Sequence, residues 1–272
     1  MLTTNKVLSE FAKLIQEGKS NPFSGSLKTG VDLGTANIVL AVTDETNHLV
    51  AGATAESKVV KDGIVVDFVG AIQTVRRLKT QIEELIGMEL TTAAVAIPPG
   101  ILEGNVRCIA NVAEGAGFDV TNIIDEPTAA ADVLGIQDGA VVDVGGGTTG
   151  ISILKDGKVI FTADEPTGGI HMTLVLAGYH GISIEAAEAL KKDLSKENSV
   201  FPIVKPVVEK MAFIVKKFLT GYGVDKVYVV GGACCFTEFE STFEKVLGIT
   251  TVKTNDSLLV TPLGIAWSAK TI

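Results

Sequence analysis

Residues 31–42 read VDLGTANIVLAV, and residues 142–154 read VDVGGGTTGISIL. In each, an apolar run ends on an aspartate (Asp32 or Asp143), a turn of Gly and Thr follows, and a second apolar run begins. Both second runs enter a polar turn, DETN at 44–47 and KDGK at 155–158, ahead of a third apolar run. Such repetition of a supersecondary unit marks internal duplication and predicts two related lobes facing each other. The turn chemistry suggests what lies between them. Glycines let the backbone bend so that its N–H groups face a phosphate. Thr adds a hydroxyl, and Asp a hard oxygen for magnesium or its bound water. One such loop alone reads as an ordinary turn. Two in duplicated context place Asp32 and Asp143 across a cleft, with magnesium-bound phosphates between them. The GxxxxGK[ST] pattern of a P-loop is absent.

Outward from these loops the patterns alternate. Ile72, Val75, Leu78, Ile82, Leu85 and Ile86 give 71–87 a helical stripe stopped by Gly87. Residues 91–100 read as a strand ended by Pro98 and Pro99, 103–117 as a helix and 120–125 as a strand. Further helices are expected over 183–195, 204–220 and 236–248, with a buried strand over 224–232 running into a double glycine. A short helix over 261–269 closes the chain, with Pro262 in its first turn. Apolar runs such as GIVV (63–66) and VYVVGGA (227–233) read as strands covered on both faces, which argues for an α/β protein. At the N-terminus, Val7, Leu8, Phe11, Leu14 and Ile15 form a helical stripe, and NPFSGSLKTG (21–30) reads as a linker. Two readings stand there: a helix packed on its own domain, or a detachable one that docks on a partner or shell.

Composition bounds the function. With 272 residues, 46% hydrophobic and 20% charged, the chain is no disordered polyelectrolyte. Its mean hydropathy is high at +0.38, yet no run approaches the ~20 apolar residues of a membrane span. A formal net charge of −9 argues against nucleic acid and anionic membranes as partners. Cys108, Cys234 and Cys235 lack a CxxC spacing, and the three histidines are scattered. That pattern predicts neither a disulfide framework nor a zinc site, and suits a reducing cytoplasm. The N-terminus carries no secretory apolar region.

GVDLGTAN (30–37), IIDEPTAAA (123–131), VVDVGGGTTGISIL (141–154) and VYVVGGA (227–233) stand in the order of the actin-like ATPase superfamily. They resemble the phosphate-1, connect-1, phosphate-2 and adenosine motifs of DnaK-type chaperones and of MreB. KDGIVVDFVGAIQTVRR (61–77), AVAIPPG (94–100), PTGGIHMTLVLAG (166–178) and PVVEKMAFIV (206–215) resemble the ethanolamine-utilization branch of that superfamily. The resemblance implies an α/β actin-like ATPase fold, two duplicated ribonuclease H-like lobes around a nucleotide cleft, without a peptide-binding domain. It implies an N-terminal helix and linker (1–25), a first lobe (26–137), a second lobe (138–261) and a C-terminal helix returning to the first lobe (262–272). ATP or ADP with magnesium is the implied ligand. Asp32 and Asp143 would hold the metal through water, Glu126 would orient the attacking water, and Thr148 would join them in catalysis. Gly34, Thr35, Ala36 and Asn37 match the first phosphate loop, and Gly145, Gly146, Gly147 and Thr148 the second. Gly168 and Gly169 follow, and Gly231, Gly232 and Ala233 match the adenosine turn. Glu188, Lys191 and Ser195, at i, i+3 and i+7, match a helix that clasps ribose and adenine, a spacing that equally describes a solvated helix.

Departures from the motifs bear on turnover. No motif fixes the first-lobe catalytic lysine, for which Lys58 and Lys61 are the candidates. Gly150 replaces the acid after the second phosphate loop, and GGIHMT (168–173) lacks the acids that usually follow its double glycine. Ala233, Cys234, Cys235 and Phe236 replace a polar, Arg-containing turn, the cysteines reading as small apolar filler. Only ENSVFPI (197–203) separates the helices that a fourth chaperone subdomain would join. The expected function is therefore a slow magnesium-dependent ATPase acting as a chaperone-like switch. Its client would be the cobalamin-dependent ammonia lyase or the microcompartment shell of ethanolamine utilization. An MreB-like polymerising protein and a catalytically weak nucleotide-binding scaffold are the alternatives.

Overall fold

The structure, a computed structural model, describes residues 2–271; positions 1 and 272 of the expected terminal segments lie outside the described residues. The first sheet is built from β1 (Leu27–Leu33), β2 (Asn37–Asp44), β3 (Leu49–Glu56), β6 (Thr92–Ile97) and β7 (Asp119–Asp125). A small hairpin, β4 (Val60–Lys61) and β5 (Ile64–Val65), projects from it. The second sheet is built from β8 (Gly139–Val144), β9 (Thr149–Lys155), β10 (Lys158–Glu165), β11 (Lys226–Val230) and β12 (Thr250–Lys253). Their orders are β3-β2-β1-β6-β7 and β10-β9-β8-β11-β12, each an antiparallel meander extended by two parallel strands. The duplication in the sequence is thus a duplication of topology. Asp32 and Asp143 occupy the penultimate position of equivalent strands.

Helices cover the sheets: α1 (Leu2–Glu17), α2 (Phe68–Ile86), α3 (Glu103–Gly115), α4 (Glu126–Leu134), α5 (Gly169–His180), α6 (Ile184–Lys192), α7 (Glu197–Leu219), α8 (Phe239–Leu247) and α9 (Val260–Ser268). Their ends follow local chemistry. Asp67 caps α2 by accepting from Gly70 N, and Gly87 closes it at φ 69°. Asp125 caps α4 from the end of β7, so strand, cap and Glu126 come in one stroke. Each lobe has its own buried cluster. A third cluster joins them, with Leu8 and Phe11 of α1 packed beside Val39, Val141, Val230 and Leu263.

The N-terminal stripe therefore packs on its own protein. Phe11 fills the space above Gly52, where a Cβ would lie 2.2 Å from the ring. Polar contacts extend this docking across the junction: Ser9 Oγ donates to Asp256 at 3.1 Å, and Asn255 N donates to Asn5 Oδ1 at 3.1 Å.

Several expectations are corrected. Residues 63–66 are no core strand but part of the projecting hairpin, with Ile64 and Val66 exposed. The expected linker stops early, because 27–30 enter β1, where Gly30 lies flush against α9. ENSVFPI is the opening of α7 rather than a connector. Burial of Val200 and Phe201 holds it helical despite Pro202 and Pro206. Helix α5 has no sequence stripe because its apolar residues run all round it, leaving Leu174, Val175 and Tyr179 exposed. Among the described residues no helix is long and apolar enough to cross a membrane.

Candidate functional site

A cavity of about 700 Å³ opens between the lobes. Both Gly/Thr turns form its floor, contributing Gly34, Thr35, Ala36 and Asn37 from one side and Gly145, Gly146, Gly147 and Thr148 from the other. Two of their glycines, Gly34 and Gly147, are required by contact. A Cβ on Gly34 would lie 2.7 Å from Asn37 O, and one on Gly147 would lie 2.8 Å from Thr35 Oγ1 and 2.9 Å from Asp62 Oδ1, both in the opposite lobe. The second loop's carbonyls are tied back: Gly169 N donates to Gly145 O at 2.9 Å and Ile170 N to Gly146 O at 2.8 Å. In a trans peptide the following N–H points the other way, so the amides of Gly146 and Gly147 are directed away from α5. This is the arrangement that receives an anion. Gly168 does not line the cavity; its Cα lies flush on the loop, where a Cβ would come within 2.6–2.8 Å of Gly145–Gly147 backbone.

Asp32, Glu126 and Asp143 share the cavity wall. Loss of bulk water pushes the Asp32 carboxyl up to about 7, with the neighbouring Asp143 adding to the rise. Asp143 is 7% exposed, and burial pushes it up to about 6. Its Oδ2 accepts from Thr261 Oγ1 at 2.5 Å, which holds the rise back. Burial raises Glu126 well above the ordinary carboxyl range, reinforced by Asp143, Asp32, Asp164 and Asp125. These carboxyls repel one another and are poorly hydrated, a state that a shared cation relieves. Among the described residues no group of three or more His, Cys, Asp or Glu forms a direct metal site. Two hard carboxylates beside amide-lined loops instead fit magnesium held largely through water and phosphate oxygens.

At the other end, Gly231, Gly232 and Ala233 line the cavity as expected. Gly231 sits at φ 94°, and a Cβ there would lie 2.4 Å from Asp143 Oδ1, so only glycine fits. Glu188 and Lys191 also reach the cavity, and Gly169 beneath them joins its wall. All three Lys191 donors are taken, by Thr173 Oγ1 (2.8 Å), Glu188 Oε2 (2.7 Å) and Gly169 O (3.1 Å). Ser195 does not join them. Helix α6 ends at Lys192 and the chain turns at Asp193, whose carboxylate accepts from Ser195 N and Oγ, leaving Ser195 exposed outside the cavity. Lys58 and Lys61 also stay outside: Lys58 pairs with Glu185 at 3.6 Å across the cleft mouth, and Lys61 is exposed.

Three contributors escaped the sequence reading. The segment Lys253–Leu258 forms a wall of the cavity, with no motif to announce it. Lys192 lines the cavity and bridges the lobes through Glu56 at 2.7 Å. Asp164, outside the cavity lining, places an acid beside Gly150, where the expected one is missing, and bears on the site through Thr148 and Asp143. The two are directly paired across β9 and β10, so the carboxyl arrives from the neighbouring strand. Its Oδ1 is buried with no hydrogen-bond partner among the described residues. Burial pushes this carboxyl up to about 7, with the Thr148 hydroxyl pulling it down and Asp143 adding to the rise. No alternation along β10 announces it, because the burial of that strand has no period of two.

Two lobes of this topology around a loop-lined cleft define the actin-like ATPase fold. MreB5 of Spiroplasma citri bound to AMPPNP has that fold, with a TM-score of 0.72 at 19% identity over 89% of this chain and 95% of that one. A family model described as Hsp70 protein matches residues 68–218. Ethanolamine utilization protein EutJ of Salmonella typhimurium (strain LT2) is 44% identical over 242 residues, 89% of this chain and 85% of that protein. The crystal structure of EutJ from Carboxydothermus hydrogenoformans is 49% identical, with a TM-score of 0.94 over 98% of both chains. The chain belongs to the EutJ family of ethanolamine utilization proteins.

Proposed function

We propose that the cleft binds ATP and ADP with magnesium, hydrolyses ATP slowly, and acts as a nucleotide-driven, chaperone-like switch in ethanolamine utilization. The lobes that would close are residues 26–137 and 138–261, with 262–272 returning to the first; that boundary falls inside α9, whose first turn holds Thr261 and which packs on the first lobe. The observation that carries this reading is the pair of cavity-lining glycine loops with Asp32 and Asp143 beside them. The loop amides and Thr35 and Thr148 would bind the phosphates, and Asp32 and Asp143 would orient metal-bound water. Glu126 would hold the attacking water. Bound magnesium would supply charge neutralisation at the phosphate oxygens, the main demand of phosphoryl transfer. Slow turnover follows from the lysines: Lys191 and Lys192 are engaged in ion pairs, Lys253 donates to the carbonyls of Cys235 and Phe236, and Lys58 and Lys61 lie outside the cavity. That same observation favours a second reading, a nucleotide-binding scaffold without turnover.

The client is proposed to be the ammonia lyase or the shell of the ethanolamine system, reached in the cytoplasm and through a protein surface rather than nucleic acid. Calorimetric titration of Mg-ATP followed by phosphate release tests the reading. Micromolar binding with slow release supports the switch, binding without release supports the scaffold, and no binding overturns both.

A further inference from the structure

Helix α9 is clamped to the first lobe by two contacts that admit no side chain. A Cβ on Gly264 would lie 1.9 Å from Ala129 O of α4, and one on Gly30 of β1 would lie 2.4 Å from Ala266 N. Interiors packed this closely move as a unit. From the start of this helix Thr261, 4% exposed, lines the cavity. Its hydroxyl donates to Asp143 Oδ2 at 2.5 Å. Asp143 belongs to β8 of the other lobe, 118 positions away in sequence. Its second oxygen, Oδ1, lies over the Cα of Gly231, where no Cβ fits. The carboxylate is thus held from two sides, by backbone of its own lobe and by a hydroxyl in the first turn of α9, the helix docked on the opposite one.

We infer that Thr261 is an interlobe positioning residue: it fixes the orientation of the Asp143 carboxylate and ties the metal-binding end of the second lobe to the docking of α9 on the first. The bond exists only while the lobes are in register. Opening the cleft separates donor from acceptor and frees Asp143 to rotate. A metal site assembled this way is complete only in the closed protein. Partners that steady a metal-ligand carboxylate commonly matter 10–100-fold for metal affinity. The inference rests on the proposed Mg-ATP function.

The test reads the magnesium concentration that half-saturates ATP binding, by calorimetry at fixed ATP, on the full chain. Thr261→Val keeps the shape and removes the donor; its midpoint should rise about tenfold. Thr261→Ser should return it to within about twofold of wild type. Should Thr261→Val fail to melt cooperatively, Thr261→Ala is read in its place. An unchanged midpoint overturns the inference, as does a loss that serine does not rescue, which would mark a purely structural role. Wild-type protein that binds no ATP at any magnesium concentration overturns the functional reading and this inference with it. Wild-type binding with an unaffected valine variant overturns this inference alone.

Discussion

The two lobes share strand order and strand sense, and each presents an aspartate and a Gly/Thr turn to the cleft, yet they are furnished differently. Every lysine lining the cavity (Lys191, Lys192 and Lys253) comes from the second lobe. The first contributes Asp32, Glu126 and its loop, and its lysines Lys58 and Lys61 stay outside. It also receives the N-terminal helix and α9. Duplication thus preserved the backbone frame that aims two carboxylates at one point, while cations and chain ends were distributed unequally. The frame is shared because it is set by strand register. The charges differ because Lys191 and Lys192 sit on a helix and Lys253 on the last residue of an outer strand, β12, positions that the shared central register does not constrain.

The largest expected effect tests whether the shared part is equivalent. Asp32→Asn and Asp143→Asn should each weaken Mg-ATP binding at least about 100-fold, about 2.7 kcal/mol, by calorimetry. A marked inequality would show that one lobe dominates the metal site. The same variants should stabilise the ligand-free protein. Burial raises Asp32 to about 7 and Asp143 to about 6 from an ordinary 3.8, so folding disfavours their ionised forms. The stability they contribute is fully present below the unfolded value and is lost as pH rises through about 6–7. Ligand-free wild type should therefore melt at a higher temperature at pH 5 than at pH 8 on this account. The asparagine variants should flatten that difference and melt higher than wild type at pH 8.

The clamp on the first lobe gives the next effect. Gly264→Ala would force α9 off α4, because the new Cβ cannot share space with Ala129 O. A loss of about 3 kcal/mol in urea unfolding is expected. Gly169→Ala is the second-lobe counterpart: its Cβ would meet Ala233 Cβ at 3.1 Å and the Lys191 ammonium at 3.5 Å, so only small shifts are needed. It should cost less than about 1.5 kcal/mol.

Much of this was legible beforehand, for a physical reason. Strands, glycine turns and their aspartates are local in sequence, so VDLGTAN and VDVGGGTTG announced both the duplicated topology and the cavity floor. What stayed hidden depends on partners distant in the chain. Thr261 matters through a residue 118 positions away, and the Lys253–Leu258 wall is placed by the junction rather than by a motif. Ser195 was misplaced because helical spacing was extended past Lys192, where the backbone turns. Asp164 was missed because its role depends on pairing with Gly150. That pairing can be broken: Gly150 is paired with Asp143 on one side and Asp164 on the other, so Gly150→Asp would set a third carboxylate between two and should cost at least about 1 kcal/mol in urea unfolding. Adding Asp164→Gly should recover only part of it, because Asp143 still lies opposite.

The smallest expected effect bears most directly on the asymmetry. Lys58 pairs with Glu185 at 3.6 Å, with both side chains largely exposed, and such pairs contribute about 0–1 kcal/mol. Lys61 points outward from the hairpin beside the second phosphate loop. If the cations belong to the second lobe alone, Lys58→Ala and Lys61→Ala should leave ATP affinity and phosphate release within about twofold of wild type. A tenfold slower release for either variant, with ATP affinity intact, would mean that the hairpin swings its lysine inward when nucleotide binds. The hairpin is placed for such a movement: Asp62, in its turn, contacts Gly147, and Gly63 packs on Pro98. The lysine experiment therefore separates an asymmetry fixed in the fold from one that closure erases.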